Sequence, residues 1–241
     1  MHTAPIDYRA GEALCEGFMA TLDPNVRRPV VLVAHAWGGQ DDFAREKAKM
    51  LAGLGYVGFA IDVYGKGRRG TTPEENSKLM QPFLDDRALL LERLLAATAA
   101  ASAQRCVDPE RVGAIGFCFG GLCVLDLVRS GAPAVRAAAC FHGLYHPPGL
   151  KSSEGPISAK VLVLHPFDDP MAPPESVIGL AKELTGAGAD WQIHMHGHTM
   201  HAFTNPAAAA PEMGLKYQER SANRAFGAME HFLRESLGSA R

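Results

Sequence analysis

Apolar positions fall into short dense runs separated by longer, periodic amphipathic stretches. Val30-Val31-Leu32-Val33-Ala34 is a continuous, mostly β-branched run, and Val57 to Ile61, Val112 to Ile115, Val135 to Phe141, Lys160 to His165 and Trp191 to Met195 are further short strand-like runs. Such runs predict strands, most of them buried on both faces. Helical periodicity fills the gaps: from Asp41 or Asp42 as cap to Leu54, from Glu74 to about Gln104 with an interruption at Pro82, through Leu122 to Val128, from Pro174 to Thr185, and from about Lys216 to Leu237. Leu84, Ala88, Leu91 and Leu95 recur at three- and four-residue spacing and predict the buried face of the second helical stretch. Ala13 to Leu22 alternates loosely and ends at Asp23-Pro24-Asn25, which predicts an edge strand closed by a turn. Gly131-Ala132-Pro133 is a helix stop, and Pro147 to Pro156 a polar loop.

Strands alternating with helices predict a largely parallel sheet covered on both faces, in one domain over residues 1–241. In such sheets the ligand site lies beyond the carboxyl ends of the strands. The loops after Ala34, Ile61, Ile115, Phe141, Leu164 and Met195 are therefore expected to converge. Gly65 to Pro73 is glycine-rich and basic, and with the start of the next helix it predicts a lid over residues 65–82.

Charge and composition narrow the function classes. A net charge of −2 with dispersed basic residues gives no electrostatic footprint for nucleic acid or an anionic membrane. Neither a signal pattern nor a spanning apolar run is present, so a cytoplasmic protein is expected. The five cysteines are scattered without C-x-x-C spacing, which disfavours a disulfide framework or thiolate zinc site. A monomer or small homo-oligomer is expected.

The chemistry centres on Gly116-Phe117-Cys118-Phe119-Gly120-Gly121, set between a strand run and a helical run. This matches the G-x-S-x-G nucleophile elbow with cysteine as the central residue. A sharp turn needs small neighbours, which the glycines supply, and the amino end of the following helix favours a thiolate. Free cysteines are more often small buried apolar groups, so partners have to support the motif. A thiol attacking a carbonyl needs a base, and the base needs a carboxylate to fix its tautomer. His201, in the loop beyond the last strand, is the candidate base. Asp168 and Asp169 compete as the carboxylate, since only one of two adjacent residues in an extended segment can point inward; the Asp-x-x-x-Pro spacing to Pro173 favours Asp169. His194, His196 and His198 would lie on one strand face, a spacing that permits a metal, but no carboxylate or cysteine is arranged around them and no metal or cofactor is expected.

Together, the elbow, Asp169-Pro170-Met171-Ala172-Pro173 and His201-Ala202-Phe203 resemble the dienelactone hydrolase family, with similarity from about Pro29 to Leu237 that includes Phe43-Ala44-Arg45-Glu46 and Asp62-Val63-Tyr64-Gly65. The resemblance implies an α/β-hydrolase fold without a cofactor, a Cys118, His201 and Asp169 triad, and an oxyanion hole made by the backbone N–H groups of Trp37 and Phe119. Substrate would be a small ester or lactone, with Tyr64, His142, Phe203 and Asn205 as candidate contacts. Two departures bear on substrate. Ala36 stands where the family's best-known members carry a glutamate beside the resting thiol, and Asn205 where an arginine helps hold the substrate carboxylate. Arg68, Arg69, Lys78 and Arg87 are candidate replacements for an anion site. A ligand-binding protein or a thiol redox sensor on the same scaffold is the alternative to an enzyme.

Overall fold

The structure, a computed structural model, describes residues 1–132, 134–150 and 156–238. Pro133 of the expected helix stop and part of the polar loop at 147–156 lie outside them. Strands β1 (His2–Ala10), β2 (Ala13–Thr21), β3 (Arg28–Ala34), β4 (Val57–Ala60), β5 (Val107–Phe117), β6 (Val135–Phe141), β7 (Lys160–Pro166) and β8 (Trp191–His196) form one eight-stranded sheet in the order β1-β2-β4-β3-β5-β6-β7-β8. β1, β2 and β4 pair antiparallel, and every pair from β4 to β8 is parallel.

Helices α1 (Asp42–Gly53), α2 (Pro73–Asp85), α3 (Arg87–Ser102), α4 (Phe119–Arg129), α5 (Pro174–Gly186) and α6 (Glu219–Leu237) supply the connections and the closing segment. The sheet's two faces form separate cores. Val30, Leu32 and Ala34 of β3 point to one, with Leu90 and Leu94 of α3, Leu122 and Leu125 of α4 and Leu180 of α5. Val31 and Val33 point to the other, with Leu51 of α1 and Met229 and Leu233 of α6. Alternate residues of one strand are thus buried in opposite directions, which is why the strand sequences read as continuous apolar runs. Among the described residues no helix is long and apolar enough to cross a membrane.

Several expectations need correction. β2 is not an edge, because β1 pairs along its whole length in a hairpin. The exposed and half-exposed residues of β1 hid it as a strand, since an edge strand carries little apolar signal. On α3 the buried positions are Arg87, Leu90, Leu94, Ala97, Thr98 and Ala101, whereas Leu95 is 42 % exposed. Leucines occur on more than one side of this helix, and the buried ion pair of Arg87 with Asp126 lies on the inward side. Pro82 lies inside α2, and α3 starts behind its own cap, Asp86, whose carboxylate accepts from the Leu89 N–H at 2.9 Å. The closing helix starts at Glu219 because Leu215–Lys216 pairs instead as a short strand, β10, with β9 (Ala209–Ala210).

Residues 65–72 are irregular and are tied to the rest of the chain by Gly70 N–H to the Gly38 carbonyl (3.0 Å), Lys66 N–H to the Leu14 carbonyl (2.8 Å) and Arg69 to the Gln40 carbonyl. A capping box, Thr72 with Glu75, starts α2.

Candidate active site

β5 ends at Phe117 and α4 begins at Phe119, so the chain reverses within one residue, Cys118, at φ 56°, ψ −118°. Such a conformation is costly for a residue with a side chain and persists only where the surroundings enforce it. They do so here through contacts that exclude side chains. A Cβ on Gly116 would lie 1.9 Å from the Gly120 carbonyl oxygen, and one on Gly120 would lie 2.1 Å from that of Ala34. The Cys118 N–H donates to the Phe141 carbonyl (3.1 Å), and its own carbonyl accepts from Gly121 N–H (2.9 Å). Cys118 is partly exposed while Cys15, Cys106, Cys123 and Cys140 are buried. Burial holds the Cys123 thiol well above its ordinary range and pushes Cys140 up to about 12, so both remain thiols.

Asp169 and His201 are brought together from the segments that follow β7 and β8. Asp169 Oδ2 accepts from His201 Nδ1 at 2.7 Å, and Oδ1 accepts from Met171 N–H at 2.9 Å. Asp169 is buried, whereas Asp168 faces solvent. His201 is 1 % exposed; its carbonyl accepts from Lys216 N–H (3.1 Å), so the β9–β10 hairpin anchors the loop that carries it. Its Nε2 is buried without a hydrogen-bond partner. Burial works against a charged ring, yet the Cys118 sulfur and the Asp169 carboxylate outweigh it and raise the His201 pKa to about 10. Asp169 and Cys118 thus favour the charged form of the ring.

Cys118 and His201 line one cavity of about 280 Å³, walled by Trp37, Phe43, Met80, Phe117, Leu144 and Met171 among others. The peptide between Ala36 and Trp37 is fixed at its rim. The Ala36 carbonyl accepts from His35 Nδ1 (2.7 Å) and Gly39 N–H (3.2 Å). Val63 N–H donates to His35 Nε2 (3.2 Å), which assigns the neutral Nδ1–H tautomer, and burial lowers the His35 pKa in agreement. Tyr64 Oη donates to the Trp37 carbonyl (2.9 Å). In a planar trans peptide the N–H points opposite the C=O, so the clamp that holds the Ala36 oxygen also aims the Trp37 N–H.

Of the candidate substrate contacts, His142 and Asn205 line the cavity and Tyr64 and Phe203 do not. Tyr64 is 1 % exposed and stacks on Phe83 and Phe119 behind the rim, and Phe203 is fully buried against His142 and His196. Both are aromatic residues near strand ends, a position that does not separate wall from support. His142, at φ 37°, packs edge-on to His201 with ring centroids 4.9 Å apart and shares a 2.8 Å hydrogen bond between its Nε2 and Thr204 Oγ1. Burial and the neighbouring His201 charge keep it neutral. Met80, Leu144 and Leu215 also line the wall; as ordinary apolar residues they carried no sequence signal.

None of the four candidate anion-site cations lines the cavity. Arg87 is buried against Asp126 (Nε to Oδ2, 2.7 Å), Arg68 donates to the Tyr64 carbonyl (3.2 Å), and Arg69 to Gln40. Composition shows charge but not where a long side chain is spent. β8 ends at His196 and His198 follows at φ 54°, so the three histidines do not share a strand face; among the described residues no cluster of three or more His, Cys, Asp or Glu could hold a metal. A larger cavity of about 850 Å³ includes Arg129 and Glu183 in its wall, but these pair with each other at 2.7 Å and no cysteine lines it.

A parallel sheet flanked on both faces, a strained elbow at the carboxyl end of β5 and a buried acid–histidine pair beyond β7 and β8 define an α/β-hydrolase. The Dienelactone hydrolase family model matches residues 15–237, and the chain belongs to that family, whose members are ester and lactone hydrolases. An uncharacterized protein of Caenorhabditis elegans is 34 % identical over 155 residues, 64 % of this chain and 98 % of its own. A protein of Aquifex aeolicus named as a carboxymethylenebutenolidase is 28 % identical over 204 residues, 83 % of this chain and 86 % of its own. Among solved structures, a dienelactone hydrolase-like promiscuous phosphotriesterase from metagenomic libraries superposes with a TM-score of 0.92 at 34 % identity, covering 98 % of this chain and 99 % of its own.

Proposed function

We propose that this enzyme cleaves a small carboxylic ester or lactone through Cys118, His201 and Asp169, with an acyl-cysteine intermediate. The observation that carries this is the meeting of the strained, partly exposed Cys118 with the free Nε2 side of His201 in one cavity, while Nδ1 of the same ring is held by buried Asp169. The raised His201 pKa supports a ring that holds a proton at Nε2 for the leaving group.

The Cys118 thiolate attacks the carbonyl carbon, and the electron pair of the C=O moves to oxygen. The N–H groups of Trp37 and Phe119 receive that charge. Phe119 is the first residue of α4, so its N–H has no intrahelical acceptor, and the Trp37 N–H is aimed by the His35 clamp. As the C–O bond breaks, His201 passes its Nε2 proton to the leaving alkoxide. The neutral ring then takes a proton from water, whose oxygen attacks the thioester. Collapse then breaks the C–S bond, releasing the carboxylic acid and the Cys118 thiolate beside the ring protonated in the previous step, so protons and electrons balance over the cycle. Asp169 keeps the tautomer and stabilises the charged ring.

The five free cysteines support a reducing compartment such as the cytoplasm. The deciding experiment is turnover of p-nitrophenyl acetate by Cys118→Ala. Loss of turnover in a folded variant is expected, and unchanged turnover would overturn the assignment.

A further inference from the structure

The lining of the catalytic cavity bears on which esters it can take, an inference that rests on the proposed function. Among the described residues no lysine or arginine lines it. Ten of the fifteen described lining residues, Trp37, Phe43, Met80, Phe117, Leu144 and Leu215 among them, are apolar or aromatic. Nearby cations are turned elsewhere: Arg68 and Arg69 to backbone carbonyls, and Lys47 onto the rings of Phe43 (4.7 Å) and Phe226 (4.4 Å). His201, the described lining residue whose pKa is raised, already faces Asp169 and Cys118. The neutral His142 adds no charge.

Among the described residues the one carboxylate in the lining is Asp41, exposed at the rim, where its Oδ1 caps α1 by accepting from Ala44 N–H at 3.0 Å. Asn205 is partly committed as well, its Oδ1 accepting from Ala207 N–H at 3.0 Å. A substrate carboxylate entering this space would exchange its hydration for apolar walls, meet no unspent cation, and pass Asp41 on the way. A volume of about 280 Å³ also restricts the acyl group to a short one.

We propose that the site selects uncharged esters or lactones with a short apolar acyl group and rejects substrates carrying a carboxylate. The Aquifex aeolicus relative is named for a substrate that bears a carboxyl group, so selectivity here would differ from what that name states.

The test compares p-nitrophenyl pentanoate with mono-p-nitrophenyl glutarate, which have acyl chains of equal carbon number, each corrected for spontaneous hydrolysis. Cys118 dependence is verified with Cys118→Ala. The expected result is kcat/KM roughly 100-fold lower for the glutarate, a cost carried by desolvation of its carboxylate. Asp41→Asn, which keeps a good helix cap, should narrow the gap by a few-fold, and Asn205→Arg should narrow it further by raising the glutarate rate. Equal kcat/KM for the two esters in Cys118-dependent turnover would overturn the selectivity while leaving the catalytic assignment intact. Turnover of both esters by Cys118→Ala would overturn the assignment, and the selectivity with it.

Discussion

His35 holds the peptide between Ala36 and Trp37, the proposed oxyanion loop, and does not line the cavity, so replacing it separates positioning from chemistry. In His35→Leu the Ala36 carbonyl loses its 2.7 Å donor and keeps only the longer bond from Gly39 N–H. The peptide can then rotate, and the Trp37 N–H loses alignment. Complete loss of an oxyanion donor costs about 2.7–4 kcal/mol in the transition state; a donor present but misaligned forfeits roughly half of that. The expected fall in kcat is therefore about 10- to 30-fold, at 1.36 kcal/mol per tenfold. The same variant strands the Val63 N–H, which is buried and donates to His35 Nε2, at a cost of about 1–3 kcal/mol of stability. His35→Asn distinguishes the two effects, because its amide nitrogen can occupy the Nδ1 position but is too short to serve Val63. It should recover most of kcat while remaining as destabilised as His35→Leu. The assay pairs ester turnover with alkylation of Cys118 by iodoacetamide, a displacement that forms no oxyanion and should proceed at the wild-type rate in both variants. Wild-type kcat in His35→Leu, or equal kcat in the leucine and asparagine variants, would refute the positioning role.

Two further outcomes follow from the titrating groups. Cys118 raises the His201 pKa, so Cys118→Ala should bring the imidazolium titration of His201 down from about 10 in a histidine NMR titration, and an unchanged midpoint would show that the sulfur does not face the ring. His35 and His142 are held below the ordinary histidine value and His165 at about 4, against 6.5 in the unfolded chain, so unfolding takes up protons once the pH drops below about 6.5. Their stabilising contribution is complete above that pH and is lost toward pH 4. His201, with its raised pKa, contributes oppositely: fully below 6.5 and progressively less toward pH 10. Thermal unfolding should accordingly show its highest Tm near neutrality and a fall on the acid side, and a flat Tm from pH 7 to 4.5 would contradict the burial of these rings as neutral groups.

The parallel strands and the elbow were legible in the sequence because their signals are local. Both-face burial leaves a continuous apolar run such as Val30–Ala34, and a strained turn demands glycine at a fixed offset, as at Gly116 and Gly120. β1 was not legible, since an edge strand's alternation is diluted by exposed residues. Asp169 and His201 could be nominated from chain order, but which of Asp168 and Asp169 turns inward depends on the local twist of the segment after β7. The destinations of Arg68, Arg69 and Arg87 depend on partners from 4 to 59 residues away, which no single local pattern encodes. For the same reason the His35 clamp was invisible: its donor Val63 lies 28 residues further on, across the β3–β4 pair.

The most direct test of the catalytic assignment is rapid-quench mass spectrometry of the peptide containing Cys118 during turnover of p-nitrophenyl pentanoate. A transient acyl mass increment on Cys118, absent in Cys118→Ala and formed at a rate that accounts for product release, is expected. Steady turnover with Cys118 never acylated would contradict it.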